Sequence, residues 1–484
     1  MMAVEVVVEL SAGVARRVIN PPIGMERPGI RLFADPIQAI ESDLTATVLV
    51  LSADDRRLAM VACDLCAVAR TTVERIRQVV AQRVGTEPSQ VLFNESHTHS
   101  GPALPGFTPA TGAQAALESA YQADLLRWAE EAATEAAAAL RPARIGAGWG
   151  ECAIGAYRRE RRSDGSYHLA EVPDAPTDPA VGVVRVDDHD GTPIAIVFSY
   201  GCHPVTMGPH SHVASSDYPG AARAVVEGTL GGTAMFLQAC GGNINPITGI
   251  GAEVDCRDNK NRIGAMLGGE VVKVAAGIRT NVTRGERQPI DTLASISVWP
   301  WQPVAGDSCQ RFAVGERTVA LDYVELPSLA KATAIQERWH GQLEQALAGG
   351  HRWDLSIAKK FAHWADVLVA AVERGDPTLD VAVQAIRVND IALVAVGAEL
   401  FFETGIAVRA ASPVAHTQVI GYSNACLSYL PRAEDYPEGG WDVDTQYAVP
   451  DLFFQSYNLP VALDPGSEAR IVAAAEELLT AIGA

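Results

Sequence analysis

The sequence predicts an α/β protein of mixed α+β character: one large domain in which mixed β-sheets are flanked by helices. Two observations carry that prediction. Apolar segments of strand length, joined by Asp, Gly and Asn turns, alternate along the chain with longer segments of helical period. No internal repeat, low-complexity run or Pro/Ser-rich linker divides it.

Residues 44–52 and 58–63 flank the turn Ala53-Asp54-Asp55-Arg56 and read as a hairpin. A helix follows, with a capping box of Thr71 and Glu74, an apolar face of Ile76, Val79, Val80 and Val84, and a stop at Gly85. Residues 90–93 form a short strand, and 123–140 an alanine-rich helix. A second hairpin joins 181–186 to 194–200 through Asp190-Gly191-Thr192-Pro193. Helix 219–228 leads to strand 234–238, and 259–278 is again helical. Residues 328–375 change texture: two successive helices rich in Ala, Lys, Glu and Trp, readable as a lid, a dimer surface or an insertion. Strands 381–388 and 391–396 then turn through Asn389-Asp390, and a Ser467-capped helix closes the chain at 482.

Composition narrows the function. The 484 residues are 48% hydrophobic and 20% charged, enough apolar material for a sizeable core. A formal net charge of −20 repels phosphate backbones and anionic bilayers, so nucleic acid is not an expected partner. No run approaches the roughly 20 apolar residues of a membrane helix. Stable membrane insertion is not expected. The opening Met1-Met2-Ala3-Val4-Glu5 is acidic where a secretory leader would be basic, which points to a cytoplasmic protein. The expected partner is a small molecule, with a homo-oligomer left open. Eight irregularly spaced cysteines read as reduced core thiols, and Cys63-Asp64-Leu65-Cys66 lacks the second pair of a structural zinc site.

The most informative stretch is Asn94-Glu95-Ser96-His97-Thr98-His99-Ser100-Gly101-Pro102. Two histidines one residue apart project to the same side of an extended segment and can reach one centre. Neutral imidazole is a common zinc ligand. Phe198-Ser199-Tyr200-Gly201-Cys202-His203-Pro204 places another histidine where an apolar strand meets a loop, a preferred position for functional groups. Glu399 sits in the apolar run Val394-Ala395-Val396-Gly397-Ala398-Glu399-Leu400-Phe401, where a carboxylate is costly unless paired or metal-bound, or else opens a helix. Gly397 would let the backbone approach closely. His210 and His212 form a second HxH, read as a surface loop; nearby Asp217 is expected to orient a histidine or cap a helix. Trp299 and Trp301 read as core aromatics or as the wall of an apolar groove.

These residues resemble the neutral/alkaline non-lysosomal ceramidases. His97-Thr98-His99-Ser100-Gly101-Pro102 is similar to that family's HTHSGP hallmark. Ala12-Gly13-Val14-Ala15 with Ile19-Asn20-Pro21-Pro22-Ile23-Gly24 resembles its opening GxAxxDITPPxG motif, and Asp217-Tyr218-Pro219-Gly220 a further block. The resemblance implies zinc held by His97, His203, Glu399 and Tyr429, with His99 handling protons and Arg158 contacting substrate. It covers a catalytic domain alone, from about residue 12 to the end, without the family's immunoglobulin-like C-terminal domain or secretion signal.

One departure bears on the substrate. Ceramidases carry GDVSP where this chain has Gly241-Gly242-Asn243-Ile244-Asn245-Pro246, so Asn245 replaces a serine important to catalysis. Asparagine is no nucleophile, but its amide can support an oxyanion together with backbone N–H groups of Gly241-Gly242. The expected activity is zinc-dependent hydrolysis, by a metal-activated water, of the amide of an N-acyl amine or related small amide. The alternatives are an ester, lactone or carbamate hydrolase using the same site, or a true ceramidase; a non-catalytic sugar- or lipid-binding module is a third class of reading.

Overall fold

Three times along the chain, antiparallel strands are followed by a helix and then a strand that pairs in parallel at the sheet edge. The structure, a computed structural model, describes residues 9–27, 35–104, 110–252, 255–294, 296–304, 309–349, 352–445 and 453–483.

The first sheet orders β1 (Leu10–Val18), β2 (Thr45–Ala53), β3 (Arg56–Cys63) and β4 (Val91–Glu95). α1 (Arg70–Val84) carries the chain from β3 to the parallel β4, and α2 (Gly112–Ala138) follows. The β2–β3 turn is as expected: Ala53 pairs with Arg56, and Asp54 takes a left-handed φ of 58°, tolerated by a short polar side chain. Gly85 stops α1 at φ 76°. The capping box does not form. The helix starts at Arg70, and its N-cap, Ala69, makes no side-chain cap bond. The Ala69 N–H instead donates to Leu104 O, so pairing of 67–68 with 103–104 sets the start.

The second sheet orders β5 (Arg144–Glu151), β6 (Ala180–Asp187), β7 (Pro193–Tyr200) and β8 (Thr233–Gln238). α3 (Asp217–Leu230) connects β7 to the parallel β8, and α4 (Arg257–Gly277) packs beside it. The third orders β9 (Phe312–Asp322), β10 (Thr378–Val388), β11 (Ile391–Val396) and β12 (His416–Ile420). The helices α5 (Leu329–Leu347) and α6 (Arg352–Arg374) intervene before β10; α7 (Phe402–Ala411) links β11 to the parallel β12, and α8 (Ser467–Gly483) ends the chain.

The inner faces of the sheets meet. Leu49, Leu51 and Met60 pack with Val184, Val197 and Met235 and with Ile386, Ile391 and Leu393 in one apolar cluster. Strand alternation produces this arrangement: in β2, Leu49 and Leu51 face the shared centre, while Ala46, Val48 and Val50 face α1 and α2. Burial on both faces explains why β2 carries the run Val48-Leu49-Val50-Leu51 where a strand with one wet face would alternate. Helices therefore lie outside: α1 and α2 cover the first sheet, α3 and α4 the second, and α8 the third. The α5–α6 pair builds a separate cluster, in which Trp339, Phe361 and Trp364 pack with Phe401 and Tyr429. It thus supports one wall of the site described below.

Trp299 and Trp301 are not core aromatics. They are 50% and 44% exposed, with Arg287 over Trp299 and Arg279 and Arg284 over Trp301. All eight cysteines are buried free thiols. Among the described residues, no helix is long and apolar enough to cross a membrane.

Candidate active site

Both strands of a parallel pair end on the same side, so each sheet delivers two loop starts to one edge. In all three sheets those edges converge. Asn94, at the end of β4, fastens them: its amide donates to Gly421 O at 2.9 Å and Ser423 Oγ at 3.1 Å, while its Oδ1 accepts from Gln238 N at 2.9 Å. The carboxyl ends of parallel strands are where open α/β sheets place ligands. His97 follows β4, His203 follows β7, the 240–245 loop follows β8, Glu399 follows β11, and Tyr422 and Tyr429 follow β12.

The local backbone explains how the side chains meet. Residues 399–400 pair in parallel with 429–430, setting Glu399 directly beside Tyr429. A Cβ on Gly397 would lie 2.6 Å from Ala425 O, so only glycine permits this approach. His97 and His99 do converge, with ring centroids 4.8 Å apart. They do so differently from the expectation: His97 has a left-handed φ of 61°, so the segment is kinked rather than extended.

The hydrogen bonds settle the tautomers. His97 Nδ1 lies 2.5 Å from Cys66 O, and His203 Nδ1 lies 2.7 Å from Gly241 O. A carbonyl can only accept, so both Nδ1 atoms carry hydrogen and both Nε2 atoms keep their lone pairs. Those lone pairs face a carboxylate: His97 Nε2 is 3.5 Å from Glu399 Oε1, and His203 Nε2 is 3.1 Å from Glu399 Oε2. Burial lowers both histidines; for His203 burial and Arg158 outweigh Glu399 and hold it at about 4. Burial alone would raise Glu399, but the two imidazoles and the Tyr457 hydroxyl prevail and keep it well below the usual carboxylate range. Ligand atoms of His97, His203 and Glu399 lie within 4.8 Å of one another, all three residues buried. Neutral imidazoles and an ionised carboxylate thus converge with no hydrogen to share, a donor set that fits a divalent cation.

The other predicted residues join the same network. Tyr429 OH is 3.2 Å from His203 Nε2 and accepts from Arg158 Nη2 at 2.8 Å. Burial pushes the Tyr429 hydroxyl well up, with Arg158 pulling the other way. Burial also works against the charge of Arg158, but Tyr429, Asp442 and Glu399 hold the guanidinium firmly protonated. Its Nη1 reaches Asn245 Oδ1 at 3.4 Å, because the strand carrying Arg158 (Gly155–Arg161) pairs with that carrying Asn245 (Ile244–Pro246). His99 is half-buried; both its ring nitrogens are shielded from solvent and without a hydrogen-bond partner. Burial, then His97 and His203, push its pKa well below the ordinary value.

Two readings change. The Gly242 N–H donates to Leu400 O at 2.8 Å, so the chain itself consumes a group expected to serve an oxyanion. Of the two roles expected of Asp217, the one at a helix start is seen and no histidine among the described residues is oriented by it: as the first residue of α3 it accepts from Tyr218 N at 2.6 Å, and also from Thr206 Oγ1 and from Met207 N at 3.2 Å. His210 and His212 enter no group of three metal-capable side chains among the described residues. Sequence reasoning also missed two tyrosines. Tyr422 OH donates to Glu399 Oε2 at 3.1 Å, and Tyr457 OH donates to Oε1. Tyr422 carries a signal, since it stands just past an apolar strand like His203; Tyr457 carries none.

The sequence matches no protein-family model and no curated protein. Solved structures do match. A neutral ceramidase from Pseudomonas aeruginosa superposes with a TM-score of 0.65 at 18% identity, over 98% of this chain and 74% of that one. The fold is that of the neutral ceramidases. A second structure, a ceramidase complexed with C2, gives a TM-score of 0.65 at 17% identity, covering 98% and 75% of the two chains. The ceramidase-like fold extends over nearly the whole chain.

Proposed function

We propose that the protein is a zinc-dependent hydrolase that cleaves the amide bond of an N-acyl amine or related small amide. The observation that carries this reading is the convergence of His97 Nε2, His203 Nε2 and the Glu399 carboxylate, each turned inward by a hydrogen bond on its far side. With Tyr429 they would hold the cation. Zinc bound there would supply Lewis-acid polarisation of a carbonyl and acidify water near neutral pH. The resemblance of the fold to ceramidases accords with amide cleavage. Asn245, in place of the ceramidase serine, directs the reading toward an N-acyl amine other than ceramide.

The chain's own residues supply the remaining roles. Arg158, charged and buried beside Tyr429, stabilises negative charge developing on the substrate oxygen, and low surrounding polarity strengthens that interaction. Asn245 is held by Arg158 and by Glu171, to which its Nδ2 donates at 3.5 Å, and orients the acyl group. His99, neutral and unpartnered, takes a proton from the attacking water and delivers it to the leaving amine. Metal analysis by emission spectroscopy, with a panel of amide, ester, lactone and carbamate substrates, tests the reading. One zinc per chain, loss of amide turnover on chelation and recovery with added zinc are expected. Full turnover by metal-free protein would refute it.

A further inference from the structure

A second set of donors overlaps the first. Ligand atoms of Cys66, His97 and His99 also lie within 4.8 Å of one another. Cys66 is fully buried, and both His99 nitrogens are enclosed without a partner. The two sets share His97. Its Nδ1 hydrogen is committed to Cys66 O, so one lone pair, on Nε2, remains, and one lone pair binds one cation. Occupation of the two sets is therefore mutually exclusive.

We propose that Cys66, His97 and His99 form an alternative, thiolate-containing cation position that thiophilic metals take in place of the His97, His203 and Glu399 position. The donor chemistry separates them. Zinc accepts imidazole, carboxylate and thiolate donors alike, whereas the softer cadmium gains more from exchanging a carboxylate for a thiolate. Binding exchanges the thiol proton for the metal: Cys66–SH and Cd²⁺ give Cys66–S–Cd⁺ and a proton released to solvent, with no change of oxidation state. A cation in this position removes His97 from the Glu399 side and occupies His99. On the hydrolase reading it is an inhibitory position; the binding claim stands without that reading.

The test titrates the zinc-loaded full chain with cadmium chloride, following the ultraviolet cadmium–thiolate charge-transfer absorption together with metal content. The band should rise to saturation as one zinc leaves for each cadmium bound. Cys66→Ser should abolish the band and retain its zinc. His99→Asn, which keeps the thiol, should raise the half-saturating cadmium concentration at least about tenfold, because loss of even an outer partner of a ligand typically costs about 10- to 100-fold and His99 is here a ligand itself. It carries the test if the serine variant does not fold. Absence of the band in the wild type, its persistence in Cys66→Ser, an unchanged midpoint in His99→Asn, or cadmium bound in addition to the zinc would each overturn the proposal. A missing band leaves the hydrolase reading intact, and a protein inactive on every amide still gives the band.

Discussion

Replacing Tyr457 by phenylalanine removes one oxygen atom from a buried site and tests whether Glu399 is held in place from behind. Two phenols grip the carboxylate, Tyr422 on Oε2 at 3.1 Å and Tyr457 on Oε1. Burial keeps both hydroxyls far above the ordinary tyrosine range, so they remain donors at every working pH. A hydrogen bond to a charged acceptor contributes about 1.5–3 kcal/mol, and at about 1.4 kcal/mol per factor of ten that is roughly 10- to 150-fold in an equilibrium. Outer partners of metal ligands typically set affinity by about 10- to 100-fold, the same range. Zinc affinity, measured by competition with a chromophoric chelator, should therefore fall about 10- to 100-fold in Tyr457→Phe, and turnover at limiting zinc should fall with it. Tyr422→Phe should behave alike. Because both act on one carboxylate, the double variant should depart from additivity by about 0.5 kcal/mol or more. Wild-type zinc affinity in Tyr457→Phe would refute the argument that this hydroxyl orients Glu399.

Three further outcomes are expected. His99→Asn should keep one zinc per chain by emission spectroscopy while losing about 10²–10⁴-fold in kcat, the range for a general acid–base; loss of zinc would show that His99 is instead a ligand. In metal-free protein, His203 titrates at about 4, against an unfolded value of about 6.5, so the unfolded state binds the proton more readily. Its contribution is fully present above about pH 6.5 and falls by roughly 3 kcal/mol as pH drops toward 4. Chemical denaturation across that window should show the slope, and His203→Ala should flatten it; an unflattened slope would reject the assignment. Asp64 and Arg223, both buried, form two hydrogen bonds of 2.9 and 2.6 Å. Asp64→Asn strands a buried charge and should cost about 3–5 kcal/mol of stability, and a loss under about 1 kcal/mol by denaturation would contradict it.

The elements most legible in the sequence are those whose signal is local. The β2–β3 and β10–β11 hairpins each turn on a short polar residue, Asp54 and Asn389, with left-handed φ. Glycine marked the end of α1, and the strand-terminal histidines marked the place where the candidate site's side chains converge. What the sequence could not show is long-range. The Thr71–Glu74 capping box satisfied its pattern, yet pairing of distant 67–68 with 103–104 chose the helix start. Tyr457 follows a helical turn 28 positions beyond Tyr429 and reaches Glu399 only because the α5–α6 cluster folds its segment back. Trp299 and Trp301 are apolar by type, but flanking arginines cover their rings and they stay at the surface.

The site also concentrates backbone strain. His97, Tyr422, Asn424 and Ala425 have φ of 61°, 51°, 52° and 84°, a left-handed region costing about 1–3 kcal/mol for such residues. Such conformations persist only where the surroundings over-determine them, and here they do. Asn424 Oδ1 accepts from Phe93 N at 2.9 Å while its own N–H donates to Phe93 O at 2.8 Å, and Glu95 N donates to Tyr422 O at 3.1 Å. Asn94 ties the same turn to the end of β8. The ends of β4, β8 and β12 are thus locked by side-chain amides at the point where ordinary sheet pairing stops. This locking places the lone pairs of His97 and His203 against Glu399 before any ligand arrives. Relaxing it through Asn94→Ala should loosen the site before it loosens the sheets.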